Sequence, residues 1–284
     1  MNLQSFEYYI MALNEENNIQ ECIESIINSG GKDISVLDGG SNDRTEEIAK
    51  KNGAKFISFP DTSLSYRRGY AIEESKADFV FFVDADQRLI NTKVPNEEII
   101  SEYFNKDNQL AGIVYTKIPG SSKQNYWEKG FAMRHIIVSG GGENVQVIGT
   151  PCIFRSDYGK QVGFNRELAG SCDDTVFCDR LVEAGFVLKA IPENAIEIVR
   201  ASLRDTLKKA FWYGKGDSEY VKLYKNSRLR HLFHVLVRGP IIYPLLIIFK
   251  KPYLIPFFII FGLARVFGLF YGLIVKQDLS RSSS

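Results

Sequence analysis

The run Phe79-Val80-Phe81-Phe82-Val83, closed by Asp84-Ala85-Asp86, constrains this chain more than any other segment. Five consecutive apolar residues, three of them aromatic and two β-branched, suit a central strand covered on both faces. A strand of that kind needs helices above and below it. The preceding segments supply them. Glu7–Met11 reads as a strand, and Ile19, Cys22, Ile23, Ile26 and Ile27 then form one apolar helical stripe. A second strand over Ile34–Leu37 ends in Asp38-Gly39-Gly40-Ser41. Asn42 or Asp43 is placed to cap the helix that runs to Lys51, and Gly53 to stop it. Strand Lys55–Phe59, a helix over Ser63–Ser75 and a further strand over Ala111–Tyr115 continue the alternation. The expected fold is α/β, with a mostly parallel sheet. In such sheets ligands bind beyond the carboxyl ends of the strands. The polar clusters Asn14-Glu15, Asp38-Gly39-Gly40 and Asp84-Ala85-Asp86 all follow strands, so they converge on one edge.

Composition matters where it is uneven. Residues 1–199 carry 20 Lys/Arg and 30 Asp/Glu, whereas 200–231 carry 9 and 3. An acidic body argues against nucleic acid as a partner. A basic segment followed by an apolar one suits an anionic membrane surface. Leu232–Phe249 is apolar except for His234 and Arg238, and Tyr253–Val275 carries one charge, Arg265. Lys250-Lys251-Pro252 separates them. The second segment is long enough to span a bilayer. A spanning hairpin would carry Lys250 and Lys251 to the far side, against the positive-inside tendency. Two arrangements stay open, a spanning hairpin and a pair of helices dipping into one leaflet. The N-terminal residues have no basic-then-apolar leader pattern, and the body is expected on the cytoplasmic side of the cell membrane. Cys22, Cys152, Cys172 and Cys178 form no C-x-x-C pair, and Cys22 is expected in the core. Gly140-Gly141-Gly142 reads as a loop.

At the end of a strand, Asp84 and Asp86 are expected on one side of an extended chain, where two hard carboxylates can hold Mg²⁺ or Mn²⁺ together with diphosphate oxygens. Such an ion stabilises a departing diphosphate.

These segments together resemble glycosyltransferase family 2, the inverting enzymes of the GT-A fold, over about residues 8–220. Ala12-Leu13-Asn14-Glu15-Glu16 is similar to the family's opening "P-x-Y-N-E-E". Leu37-Asp38-Gly39-Gly40-Ser41-Asn42-Asp43-Arg44-Thr45 is similar to "V-D-D-G-S-T-D-x-T", with Gly39 at the second Asp. Arg68 lies where the family has the Arg of "A-R-N-x-G", with Gly69 replacing the Asn. Asp84-Ala85-Asp86 matches the metal motif, and Cys172-Asp173-Asp174, with Arg180-Leu181 and Gly185, is similar to "E-D-x-x-x-x-x-R-L-x-x-x-G". The resemblance implies a nucleotide-sugar-binding GT-A (Rossmann-like) domain. It implies Asp174, beside Asp173, as general base. Asn14, Glu15, Asp38, Gly40, Arg68 and Asp84 would bind the donor, and Asp86 with Asp84 would bind the metal. Arg67 is read as a solvent-facing neighbour of Arg68. Ala210–Asp217 holds a "Y-G-x-G" segment like that of membrane-linked members, without the "Q-x-x-R-W" of polymerising ones.

The organisation expected is a catalytic domain over 1–200, a basic amphipathic connector over 201–231, a membrane-associated helical hairpin over 232–276 and a polar tail over 277–284. The function expected is inverting transfer from a nucleotide-sugar donor to a lipid-linked glycan or polyprenyl phosphate at membrane lipids. A silent membrane scaffold of the same fold and a nucleotidyltransferase are the alternatives.

Overall fold

The structure, a computed structural model, describes residues 4–90, 96–119, 123–139, 145, 149–168, 171–198 and 201–275. The glycine loop at 140–142 and the tail at 277–284 lie outside the described residues. Strands β1 (Phe6–Ala12), β2 (Asp33–Asp38), β3 (Lys55–Ser58) and β4 (Phe79–Asp84) alternate with helices α1 (Ile19–Asn28), α2 (Thr45–Lys51) and α3 (Leu64–Glu74). Then come β5 (Gln87–Leu89), α4 (Asn96–Lys106), β6 (Leu110–Pro119), α5 (Tyr126–Ser139), β7 (Cys152–Arg155), α6 (Ser156–Val162), α7 (Asp173–Glu183) and β8 (Val187–Glu197). The eight strands form one sheet in the order β3-β2-β1-β4-β7-β6-β8-β5.

The first half is parallel, as the alternation requires, with β1 paired to both β2 and β4. The second half is mixed, because β7 runs antiparallel to β4 and β6. Period-two alternation along the strands builds two cores. Tyr8, Ile10, Phe79, Phe81 and Val83 pack against α1 and α4. Tyr9, Met11, Val80 and Phe82 pack against α3 and α7. All five residues of the 79–83 run are essentially inaccessible. Burying each such side chain is worth roughly 1.5–3 kcal/mol, enough to fix β4 at the sheet centre.

The C-terminal quarter is helical. The long α8 (Leu203–Leu223) starts at a capping box made by Ser202 and Asp205. A first leg follows, made of α9 (Arg228–Phe233), a π-helical stretch (His234–Ile242) and α10 (Tyr243–Ile247). Pro240 within the stretch cannot donate to an i−4 carbonyl, which accounts for the irregular winding. After a turn and a short 3₁₀ segment, α11 (Ile255–Ile274) returns along it. The expected hairpin is thus formed, and α8 packs against it.

Candidate functional site

The loops after β1, β2 and β4 meet at one end of the sheet, as the strand order demands. Asn14 takes the left-handed conformation, with φ 55°. Its Oδ1 accepts from Asn42 N at 2.9 Å, and its own N–H donates to Ser41 Oγ at 2.8 Å. Glu15 N donates to Thr45 Oγ1. Asn14 and Glu15 therefore latch the first loop onto the second. Asp38 closes that second loop on itself: Oδ2 accepts from Gly40 N and Ser41 N, both at 2.8 Å, and Oδ1 accepts from the Ser41 hydroxyl. Gly40 has φ +101°, a conformation that strongly favours glycine. Asp43 spans the start of α2, accepting from Thr45 N and Glu16 N.

Arg68, on α3, is the centre of the constellation. Its guanidinium donates to Asp173 Oδ2 at 2.9 Å and to Asp84 Oδ1 at 3.4 Å. It is 7% exposed. Burial opposes its charge, yet the Asp173 and Asp84 carboxylates outweigh burial and hold its pKa above the usual arginine range. One buried cation thus ties the strand bearing the acidic pair to the N-terminus of α7. Asp84 also accepts from the Thr150 hydroxyl. Gln87 fixes both, accepting from Asp84 N at 3.0 Å and donating to Thr150 Oγ1 at 3.1 Å.

Asp86 departs from the extended geometry expected of it. The chain turns at Ala85-Asp86, with Ala85 N bonded to Met11 O and Asp86 O accepting from Ile198 N. The carboxylates of Asp84 and Asp86 are half-buried at the end of β4. Hard oxygen donors of this kind suit Mg²⁺ or Mn²⁺. Asp84 keeps about a third of its side chain accessible (33%), so it can accept a further partner.

Asp173 and Asp174 begin α7, where the helix dipole favours negative charge. Their surroundings differ. Asp173 is 2% exposed and committed to Arg68. Asp174 is half-buried and bonded only to its neighbour Thr175 among the described residues. Its pKa is pushed up to about 6, by burial first and then by the Asp173 charge, against the pull of Arg68. A small cavity between Arg68, Gly149, Thr150, Cys152 and Phe177 opens beside it. Glu15 is also raised, by burial and then by Asp84 and Asp43, once Asn18 has offset part of the rise.

Three residues at or beside the site escaped the sequence reading. Thr150 and Gln87 carry no motif signal. Arg67, expected to face solvent, is 4% exposed and donates to Ala12 O at 2.8 Å and Leu37 O at 3.1 Å. It fills the space beside Gly39, where an added Cβ would lie 2.9 Å from its guanidinium. Gly69 likewise makes room for Arg166, at 2.6 Å from a Cβ. Both motif departures are therefore places where an arginine has taken the volume, and the glycines were the signal.

A second polar cluster lies behind the site. Cys172, Asp217 and His231 bring their ligand atoms within 4.8 Å of one another. Asp217 is fully buried and accepts from Arg265 at 2.6 and 2.8 Å, while His231 Nε2 stands 2.8 Å from Oδ1. Burial would raise its pKa, but Arg265 and His231 hold it well below the usual carboxylate range. The Arg265 guanidinium already engages both Asp217 oxygens and His231 stands on one of them, so the cluster is satisfied as an ionic knot.

The model of glycosyl transferase family 2 matches residues 9–160. An uncharacterized glycosyltransferase of Rickettsia typhi is 31% identical over 109 residues, 38% of this chain and 37% of that protein. One from Rickettsia bellii is 30% identical over 103 residues, 36% and 35%. The matches thus span little more than a third of those relatives. Among solved structures, S. aureus TarS superposes with a TM-score of 0.55 at 14% identity, over 81% of this chain and 43% of TarS. Its 1–349 fragment with UDP-GlcNAc gives 0.53 at 14% identity, over 81% and 72%. These structural likenesses show a shared fold.

Proposed function

We infer, from the premise that the chain belongs to glycosyl transferase family 2, that it transfers a sugar from a nucleotide-sugar donor with inversion. The observation that carries this reading is the pairing of Arg68 with both Asp84 and Asp173, which leaves Asp174 half-buried beside them, outside that pairing, with its pKa raised to about 6. Inversion requires one displacement: for a glycan hydroxyl acceptor a base takes the hydroxyl proton as that oxygen attacks the anomeric carbon and the nucleoside diphosphate leaves, whereas a polyprenyl phosphate oxygen attacks already ionised. The base works best with a pKa near the working pH. The upward shift of Asp174 moves it toward that range. Asp173 serves as the positioning partner of Arg68.

Asn14, Glu15, Asp38 and Gly40 form the donor cradle, with Asp38 shaping the loop through its backbone contacts. Arg68 faces the diphosphate end. Asp84 and Asp86 would hold Mg²⁺ or Mn²⁺, which supplies charge stabilisation to the nucleoside diphosphate as it leaves. The UDP-GlcNAc complex of the TarS fragment, a protein of the same fold, makes UDP-sugars the first donors to try. A lipid-linked glycan or polyprenyl phosphate is the acceptor class, reached at the cytoplasmic face of the cell membrane. Its support is the helix Pro252–Ile274, long and apolar enough to cross a bilayer by composition, packed on the catalytic body through α8. Lys209 of α8 adds a cation near Asp86, its charge favoured by Tyr213 and then, against burial, by Glu197 and Asp86. The division into a domain over 1–200, a connector over 201–231, a hairpin over 232–276 and a tail is part of this proposal. A silent scaffold is disfavoured by the retained carboxylates.

The test is nucleotide release from a panel of UDP-, GDP- and dTDP-sugars with Mn²⁺, with and without a membrane lipid extract. Lipid-stimulated release from one donor, abolished by chelator and lost in Asp86→Ala, is the expected result. Release that is absent for every donor would sink the reading in favour of a scaffold.

A further inference from the structure

The helix α11 lies lengthwise on the catalytic body. It runs parallel to α8, with a constant offset of partners. Ala210 packs in one cluster with Phe257 and Phe258. Tyr213 meets Phe261, with ring centroids 6.0 Å apart. Asp217 binds Arg265, Val221 packs with Leu269, and Lys222 Nζ donates to Gly272 O at 2.6 Å. The contacts therefore continue along nearly all 20 residues of α11. At its start α11 also leans on α5, where Tyr126 Oη accepts from Phe257 N and Phe131 stacks edge-on with Phe257.

The opposite side of α8 is equally occupied. A Cβ on Gly214 would lie 2.0 Å from Arg265 O, whereas one on Gly216 would lie 2.5 Å from Ser171 N. Positions two apart on a helix point nearly opposite ways. The two glycines thus let α11 approach one face and the loop before Asp173 approach the other. A helix sandwiched in this way, with exposed Arg204 and Lys208 at its start and Lys222 at its end, stays out of a bilayer core. A spanning α11 would have to drag it in.

What α11 leaves uncovered is a stripe: Ile259, Leu263, Phe267, Phe270 and Ile274 are between 41% and 83% exposed at helical spacing. The turn of the hairpin adds Phe249, 97% exposed, beside exposed Lys250 and Lys251. Residues 220–275 hold eight Lys/Arg and no Asp or Glu. Arg265 and Arg230 among them pair with Asp217 and Asp179, while Lys225, Arg228, Lys250 and Lys251 are exposed. A surface with an apolar stripe and this excess of exposed cations repels a second copy of itself and suits anionic headgroups over acyl chains.

We propose that the C-terminal hairpin lies flat in one leaflet of an anionic bilayer, on the same side as the catalytic body, and does not cross it. Lys250 and Lys251 then stay at the near headgroups, which removes the conflict with the positive-inside tendency. The proposal deepens the membrane part of the reading above and rests on that part alone. A chain that transfers nothing would dock in the same way, so failure here and failure of donor turnover are separate results.

The test uses the full chain in membrane vesicles of the expression host, with single cysteines introduced at Lys250 in the turn and at exposed Lys55 on β3. The four native cysteines are buried, and wild type gives the background. A membrane-impermeant maleimide is expected to label both positions in vesicles of one orientation and neither in the other. Labelling of the two from opposite sides would overturn the proposal in favour of a spanning hairpin. In parallel, binding to vesicles containing phosphatidylglycerol is expected to fall at least tenfold when that lipid is omitted, and likewise in Leu263→Glu/Phe267→Glu. Both substitutions fall on exposed positions, and an unchanged melting temperature controls for folding. Binding indifferent to both changes, or a solution dimer that the double variant splits, would overturn it as well.

Discussion

Asp173 and Asp174 are adjacent in sequence and opposite in circumstance. One is fully committed to Arg68, and the other carries a pKa raised to about 6. Two predictions follow from that raised value. As a base Asp174 must be ionised, so kcat/KM is expected to rise with pH through about 6; a profile flat from pH 5 to 8 would remove Asp174 from that role. Stability moves the other way. A carboxyl whose folded pKa exceeds its unfolded value contributes stability below the unfolded pKa, and that contribution is lost as pH rises through the folded one. Asp174→Asn, which cannot ionise, is therefore expected to gain stability relative to wild type between pH 4 and 7, by on the order of 1 kcal/mol, measured as denaturant midpoints. At Gly39 the expectation is steric. Gly39→Val forces an apolar side chain into the Arg67 guanidinium and is expected to destabilise by about 1–3 kcal/mol, with Arg67→Ala recovering part of the loss. Additive effects in that double-mutant cycle would contradict the contact.

Among the elements, α8 carries the most, because it separates the site from the hairpin. Its Asp217 faces Arg265 on α11, His231 on α9 and Cys172 at the start of α7. Removing the carboxylate leaves a buried guanidinium unpaired, so Asp217→Ala is expected to cost about 3–5 kcal/mol, read from thermal or denaturant unfolding. A loss below 1 kcal/mol would show that Arg265 finds another partner. The alternating first half of the sheet was readable because each helix and strand there has its own period: the α1 stripe, apart from the exposed Ile27, and the 79–83 run come out at their expected places. The antiparallel strand β7 was not. Its four residues follow the segment around Gly140–Gly142 and have no period long enough to register. Nor could α8 be placed by pattern, since its buried positions face two different partners, so a single apolar stripe never forms.

At the level of the whole molecule, the motifs marked loops that the structure brings together, because polar loops after parallel strands must meet at one sheet edge. What spacing could not give was the wiring. That Arg68 would bridge Asp84 and Asp173 depends on α3 and α7 packing on the same face, which is a tertiary fact. That Arg67 would turn inward depends on Gly39, 28 residues away. The hairpin was legible as apolar, and its direction relative to the body was not, because hydropathy does not report what a helix lies against. The central claim is that Asp174 performs chemistry while its neighbours hold the donor. The most direct measurement compares wild type with Asp174→Asn for donor affinity by calorimetry and for transfer in a single turnover. The account predicts affinity within threefold and turnover reduced by roughly 10²–10⁴-fold. Turnover at the wild-type rate, with affinity intact, would contradict it.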